Sequence, residues 1–170
     1  MDILAIGEEI LKALEDVLGN ASAIIEDTEW TNTIKLTIGN IGKENYGYNV
    51  SATTKDRDFD SEWLYDLTWY KEDSEEYLTE VFLVCESELN SSIDEIYYDF
   101  QKLLQSNAPF RLMITQTYSS EKEERIFAEF KEGVRRFEGL SKGEQILWIN
   151  HNQDDKLTIS EFKREWIVKE

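Results

Sequence analysis

Two acids stand where a buried strand should be ending. The run Val81-Phe82-Leu83-Val84-Cys85 has the composition of core, and it stops at Glu86-Ser87-Glu88. Side chains alternate along an extended chain, so Glu86 and Glu88 share a face if the strand continues through them. The preceding stretch "SEWLYDLTWY" (61–70) reads as the partner strand of a hairpin closed through the polar "KEDSEEY". Folding that hairpin near residue 75 or 76 sets Asp66 opposite Val84 or Glu86, and either register puts Asp66 on the face of Glu86. Carboxylates crowded in a partly buried sheet repel and lose water unless a cation lies between them. Magnesium is the natural choice: it takes one or two protein carboxylates and fills its shell with water or substrate phosphate. Beside a phosphodiester, such an ion polarises phosphorus, activates water and stabilises the leaving oxygen. The plainer reading of the same acids is the point where a strand leaves the core.

The elements that must position these residues follow from periodicity. Ile3, Ile6, Ile10, Leu14 and Val17 form one helical face, stopped by Gly19-Asn20. "EWTNTIKLTIGN" and "NYGYNVSATTK" are rich in β-branched and aromatic residues around "IGKE", which predicts a first hairpin before the one that carries Asp66. Residues 92–106 return to helical spacing through Ile96, Phe100, Leu103 and Leu104, and "FRLMITQTY" follows as a strand. Ser120 with Glu123 has the form of a capping box for a helix built on Ile126, Phe130 and Val134, stopping near Gly139. "EQILWIN" then predicts a strand parallel to the previous one, and "LTISEFKREWIVKE" fits helix or strand. The sum is one α/β domain over residues 1–170, a mixed central sheet flanked by helices.

In that order of elements, Asp66 in "YDLTW", the strand "VFLVCESE", the helix "DFQKLL" and the strand "RLMIT" resemble the PD-(D/E)XK nuclease superfamily, the restriction-endonuclease-like fold. The resemblance spans roughly residues 1–150 and implies a magnesium-dependent nuclease of DNA or RNA. It makes Asp66 the motif aspartate and Glu86 the motif acid, both metal ligands, with Glu9 of the first helix as a further ligand. Glu88 stands where the family has its lysine, and Lys102 of "DFQKLL" is the replacement that some members supply from the following helix. On a helical wheel Lys102 projects roughly 150 degrees from the centre of the apolar face at about 100 degrees per residue, a position that predicts a solvated lysine.

Composition sets a competing reading. The chain carries 36 Asp and Glu against 18 Lys and Arg, a formal net charge of −18. A field of that sign repels nucleic acid and favours a basic partner, so the alternative is a catalytically inactive acidic protein of immunity or regulatory type that binds one. The lone Cys85 excludes a disulfide framework, and the acids within the N-terminal apolar pattern fit neither a signal peptide nor a membrane span, so a soluble cytoplasmic protein is expected. "NHNQDDKLTISEF" (150–162) approaches a calcium-loop pattern through Asn150, Asn152, Asp154 and Glu161, but has Asp155 where the turn glycine belongs. His151, the only histidine, is expected at the surface of that polar turn. Trp63, Tyr65 and Trp69 alternate as core or as base-stacking platforms, and Lys131, Arg135, Arg136 and Lys142 form the one modest basic patch.

Overall fold

The structure is a computed structural model that describes residues 1–19, 27–89, 92–153 and 161–170. The elements run α1 (Ile3–Leu18), α2 (Asp27–Asn40), a π-helical turn (Ile41–Asn45), β1 (Asn49–Ser51), β2 (Leu67–Glu72), β3 (Leu78–Leu89), α3 (Ile93–Gln105), β4 (Phe110–Thr117), α4 (Ser120–Arg136), β5 (Gln145–Asn152) and β6 (Glu161–Val168). The strands form a six-stranded mixed sheet in chain order. The chain divides into two compact units, Met1–Cys85 with Ala108–Phe110, and Glu86–Asn107 with Arg111–Glu170. None of the described helices is long and apolar enough to cross a membrane.

In the first unit, Asp2 caps α1 by accepting from the amides of Leu4 and Ala5, and Ile6, Ile10, Leu14 and Leu18 recur at four-residue spacing to give its buried stripe. Val17, expected on that face, is exposed. The predicted first hairpin is wrong in its first half. Residues 27–40 are helical, because Trp30, Ile34 and Ile38 recur every four residues and all three are buried. This stripe outweighs the β propensity of the threonines among them. Only Asn49–Ser51 of the predicted second strand pairs, with Tyr70, Trp69 and Thr68 of β2. The π-helical turn lays Gly42 against the indole of Trp69, where an added Cβ would sit 2.4 Å from the ring. Tyr46 and Tyr48 stack on the same indole, with centroids 5.9 and 6.0 Å away. Trp69 is therefore core. The strand holding it starts at Leu67, so Trp63 and Tyr65 precede it, and Trp63 is exposed and tilted against Tyr70. β2 and β3 pair antiparallel from Leu67 opposite Cys85 to Glu72 opposite Leu78, across a turn in which Glu76 adopts a left-handed φ of 63°.

In the second unit, Ser92 and Glu95 make the capping box that opens α3, and Ile96, Phe100, Leu103 and Leu104 are its buried face. β4 and β5 run parallel in register from Arg111 with Ile146 to Thr117 with Asn152, as the sequence predicts. Parallel neighbours need a crossover, and α4 supplies it. Its N-cap is Ser119, one residue before the predicted Ser120, and it ends at the cap Phe137. Phe130 of α4 stacks on Phe100 of α3 at 3.9 Å, and Phe127 stacks on Trp148 of β5 at 5.3 Å. Lys169 closes α4 by donating to the carbonyls of Val134, Arg135 and Phe137, placing a cation on the negative end of the helix. The ambiguous C-terminal segment is a strand: β6 pairs antiparallel along all of β5.

Candidate functional site

Glu86 opens the second unit, one residue beyond the last β2 to β3 pair at Cys85. It continues β3 and is buried, with 2 % of its surface exposed. The ammonium of Lys102, three turns along α3, lies 2.6 Å from its carboxylate and 2.9 Å from that of Asp99. Partial burial pushes the Lys102 ammonium down, and hydrogen bonds and charges of Glu86 and Asp99 more than reverse this, holding it well above the ordinary lysine value. The solvated lysine expected from the helical wheel is thus a partly buried one. The four-carbon stem brings the ammonium to the Glu86 carboxylate on the strand. Glu88, half-buried two residues on, lines a small acidic cavity of about 340 Å³ with Asp94, Glu95, Tyr98 and Asp99. Glu95 is already committed there to the cap of α3.

Asp66 lies in the first unit, directly before β2. Its cationic neighbour is Lys35 of α2, at 3.3 Å, and the same ammonium donates to Glu62 at 2.8 Å. Lys35 is only 7 % exposed. Burial lowers its pKa, and the hydrogen bond to Glu62 with the charges of Asp66 and Glu62 leaves it raised overall. Sequence reasoning missed this residue because it lay in a stretch read as strand; the four-residue spacing of Trp30, Ile34 and Ile38 was the available signal. Glu9, the third expected ligand, accepts from the side chains of Asn45 and Tyr46, both at 2.5 Å, which fastens α1 to the π-helical turn. That bond pushes the Tyr46 phenol up to about 12.

Asp66 therefore meets Lys35, and Glu86 meets Lys102. Among the described residues, no group of three or more His, Cys, Asp or Glu side chains is arranged to hold a metal ion. The oxygens that Glu86 and Asp99 present around Lys102 are nonetheless hard donors of the kind magnesium takes, and magnesium asks for only one or two. The donor chemistry fits the ion, in competition with the ammonium.

The remaining predicted groups separate cleanly. His151 is 1 % exposed, not at the surface: it occupies β5, stacks on Phe162 at 4.5 Å, and burial pushes its imidazole down to about 4. Asn150 and Asn152 belong to the same strand, so they are not placed by a calcium loop, while Asp154 and Asp155 lie outside the described residues. Arg135 and Arg136 both bind Glu132, which pulls that carboxyl down to about 2 and partly cancels the basic patch. Set against protein-family models, curated proteins and solved structures, the chain has no match.

Proposed function

We propose that the chain is a divergent PD-(D/E)XK-type phosphodiesterase acting on DNA or RNA, with Glu86 as a magnesium ligand and Lys102 in the place of the motif lysine. One observation carries this reading: the helix that follows the acid-bearing strand delivers an ammonium to within 2.6 Å of the buried Glu86 carboxylate. The resemblance gives Asp66 the place of the family's aspartate and leaves Glu88 in the lysine's old position. Lys102, with its pKa raised, stays protonated throughout the neutral range. Its role is accordingly to donate to a phosphate oxygen or to orient the attacking water, stabilising charge that develops at phosphorus; it does not accept the proton. Asp99 holds the ammonium in place. Magnesium, when bound, supplies Lewis acidity at the phosphoryl group. The test is cleavage of single- and double-stranded DNA and RNA with Mg²⁺ or Mn²⁺ by wild type, Glu86→Gln, Asp66→Asn and Lys102→Met. Activity lost by at least about 100-fold in each variant supports the reading. A wild type that cleaves none of the substrates ends it.

A second reading rests on charge. Residues 1–119 hold 24 Asp and Glu against 8 Lys and Arg, so −16 of the net −18 precedes α4. A protein that keeps this fold to bind a basic partner through acidic surface accounts for that asymmetry. It predicts capture of basic partners that weakens as salt rises, and salt-insensitive capture would reject it.

A further inference from the structure

The sheet ends in two edges of unequal length. β1 is three residues long, whereas β6 runs for eight, Glu161–Val168, with β5 on one side and, among the described residues, no strand on the other. A long edge offers a row of backbone donors and acceptors to any extended chain, and proteins commonly guard it with charge. On β6 the exposed Glu161, Lys163 and Glu165 lie on one side of the strand and alternate with the half-buried Phe162, Arg164 and Trp166 on the other. A guard of one sign repels a copy of itself. This one changes sign along its face, so it can match one.

Charge favours a second copy at this edge. With −16 of the net −18 ahead of α4, residues 120–170 carry only −2, and β6 itself is neutral, with Glu161 and Glu165 against Lys163 and Arg164. The self-repulsion of so acidic a chain is therefore weakest here. Two antiparallel copies of β6 are related by a twofold axis normal to the sheet, which keeps each side chain on its own side and requires the axis to pass through a residue. An axis at Lys163 opposes Lys163 to itself and Glu161 to Glu165. An axis at Glu165 opposes Glu165 to itself and pairs no opposite charges within β6. An axis at Arg164 sets Lys163 opposite Glu165 twice and Phe162 opposite Trp166 twice, and its one like-charged contact is the Arg164 pair on the axis. Lys163 reaches Glu123 of its own chain at 3.0 Å, yet its side chain stays 44 % exposed, and an ammonium has donors for a second carboxylate.

We propose that β6 is a self-association edge, which pairs antiparallel with β6 of a second copy about Arg164 and makes one sheet continuous through both chains. Backbone hydrogen bonds supply the attraction, and the Lys163 to Glu165 and Phe162 to Trp166 pairs fix the register. The interface is independent of both readings of the Glu86 site.

Sedimentation velocity of the full-length protein over a concentration series tests this. Wild type should pass from monomer to dimer as its concentration rises. Glu165→Lys and Lys163→Glu should each weaken the dimer by about tenfold or more, since each sets like charges opposite one another twice. Mixed in equal amounts, the two variants should dimerise again, because the exchanged charges then face each other across the edge, a gain that misfolding cannot produce. Under mild oxidation Arg164→Cys should link two chains through a disulfide and Glu161→Cys should not, the native Cys85 being buried. The proposal is overturned if wild type stays monomeric to the highest soluble concentration, if either charge-reversed variant dimerises like wild type, if their mixture stays monomeric, or if Glu161→Cys cross-links as readily as Arg164→Cys.

Discussion

Replacing Lys102 by methionine removes the ammonium and keeps the stem, so it isolates the charge that Glu86 and Asp99 share. Both carboxylates lie within 3 Å of one nitrogen, at 2.6 and 2.9 Å, and the Glu86 side chain is 3 % exposed. At an effective dielectric of 20 the Glu86 contact alone is worth about 6 kcal/mol of Coulomb energy, much of which offsets the desolvation of the pair. Breaking a buried pair from one side leaves that desolvation unmatched, typically at about 3–5 kcal/mol. Water reaches Lys102, whose side chain is 27 % exposed, which points to the lower end. We predict a loss of about 3 kcal/mol for Lys102→Met in urea unfolding followed by tryptophan fluorescence at neutral pH. Glu86→Gln should lose less, about 1–2 kcal/mol, because a neutral amide tolerates burial. The double variant should then show a coupling of about 2 kcal/mol. Lys102→Met should also regain stability as the pH falls, since protonating a carboxylate relieves the strain. A loss below about 1 kcal/mol in Lys102→Met, or a coupling near zero, would refute the pairing and with it the assignment of Lys102 to the motif lysine's place.

Further expectations follow from the packing and from the shifted groups. Gly42→Ala places a methyl 2.4 Å from the Trp69 indole and should cost about 1–3 kcal/mol, read as a lowered thermal midpoint; no change would mean the π-helical turn relaxes freely. The phenols of Tyr46 and Tyr48 are both pushed up to about 12, the first chiefly by its bond to Glu9 and the second by burial and Glu80. Their neutral forms are favoured in the fold, so the stability they contribute is present below 10 and is lost as the pH rises towards 12. Ultraviolet titration should show at least these two ionising late, and Glu9→Gln should return Tyr46 towards 10. His151 runs the other way: burial depresses it from 6.5 to about 4, so the unfolded chain takes up the proton first. Stability should fall between those values by about 3 kcal/mol, and His151→Gln should flatten that part of the pH profile.

Most of the elements were legible, because α1, α3 and α4 each bury one repeating apolar stripe and β3, β4 and β5 hold continuous buried runs. Legibility failed where composition and spacing disagreed. Between residues 29 and 40 the threonines and isoleucines argue for strand and the four-residue recurrence of Trp30, Ile34 and Ile38 for helix; burial of that stripe decided it. The same error hid Lys35, whose meeting with Asp66 depends on a helix existing there. His151 was misplaced for a related reason. Its asparagine neighbours look like a turn, yet β5 buries them by matching their amides to Thr115, Thr117 and Glu123, contacts that come from distant parts of the chain.

Lys102 shows a different limit. A wheel describes where a Cβ points, and for a residue with four methylenes the charge can act well away from that direction. The acids at the end of "VFLVCESE" were visible in the sequence, and so was Lys102 as a candidate in the next helix, but the wheel set it in solvent and not against Glu86. What separates a chain leaving its core from a prepared site is whether the buried carboxylate is answered by a cation held from elsewhere. Glu86 is answered, by an ammonium that Asp99 holds in turn. The strand-end acid is thus part of an organised charge cluster, and the Lys102→Met and cleavage measurements together decide whether that cluster supports chemistry or only the fold.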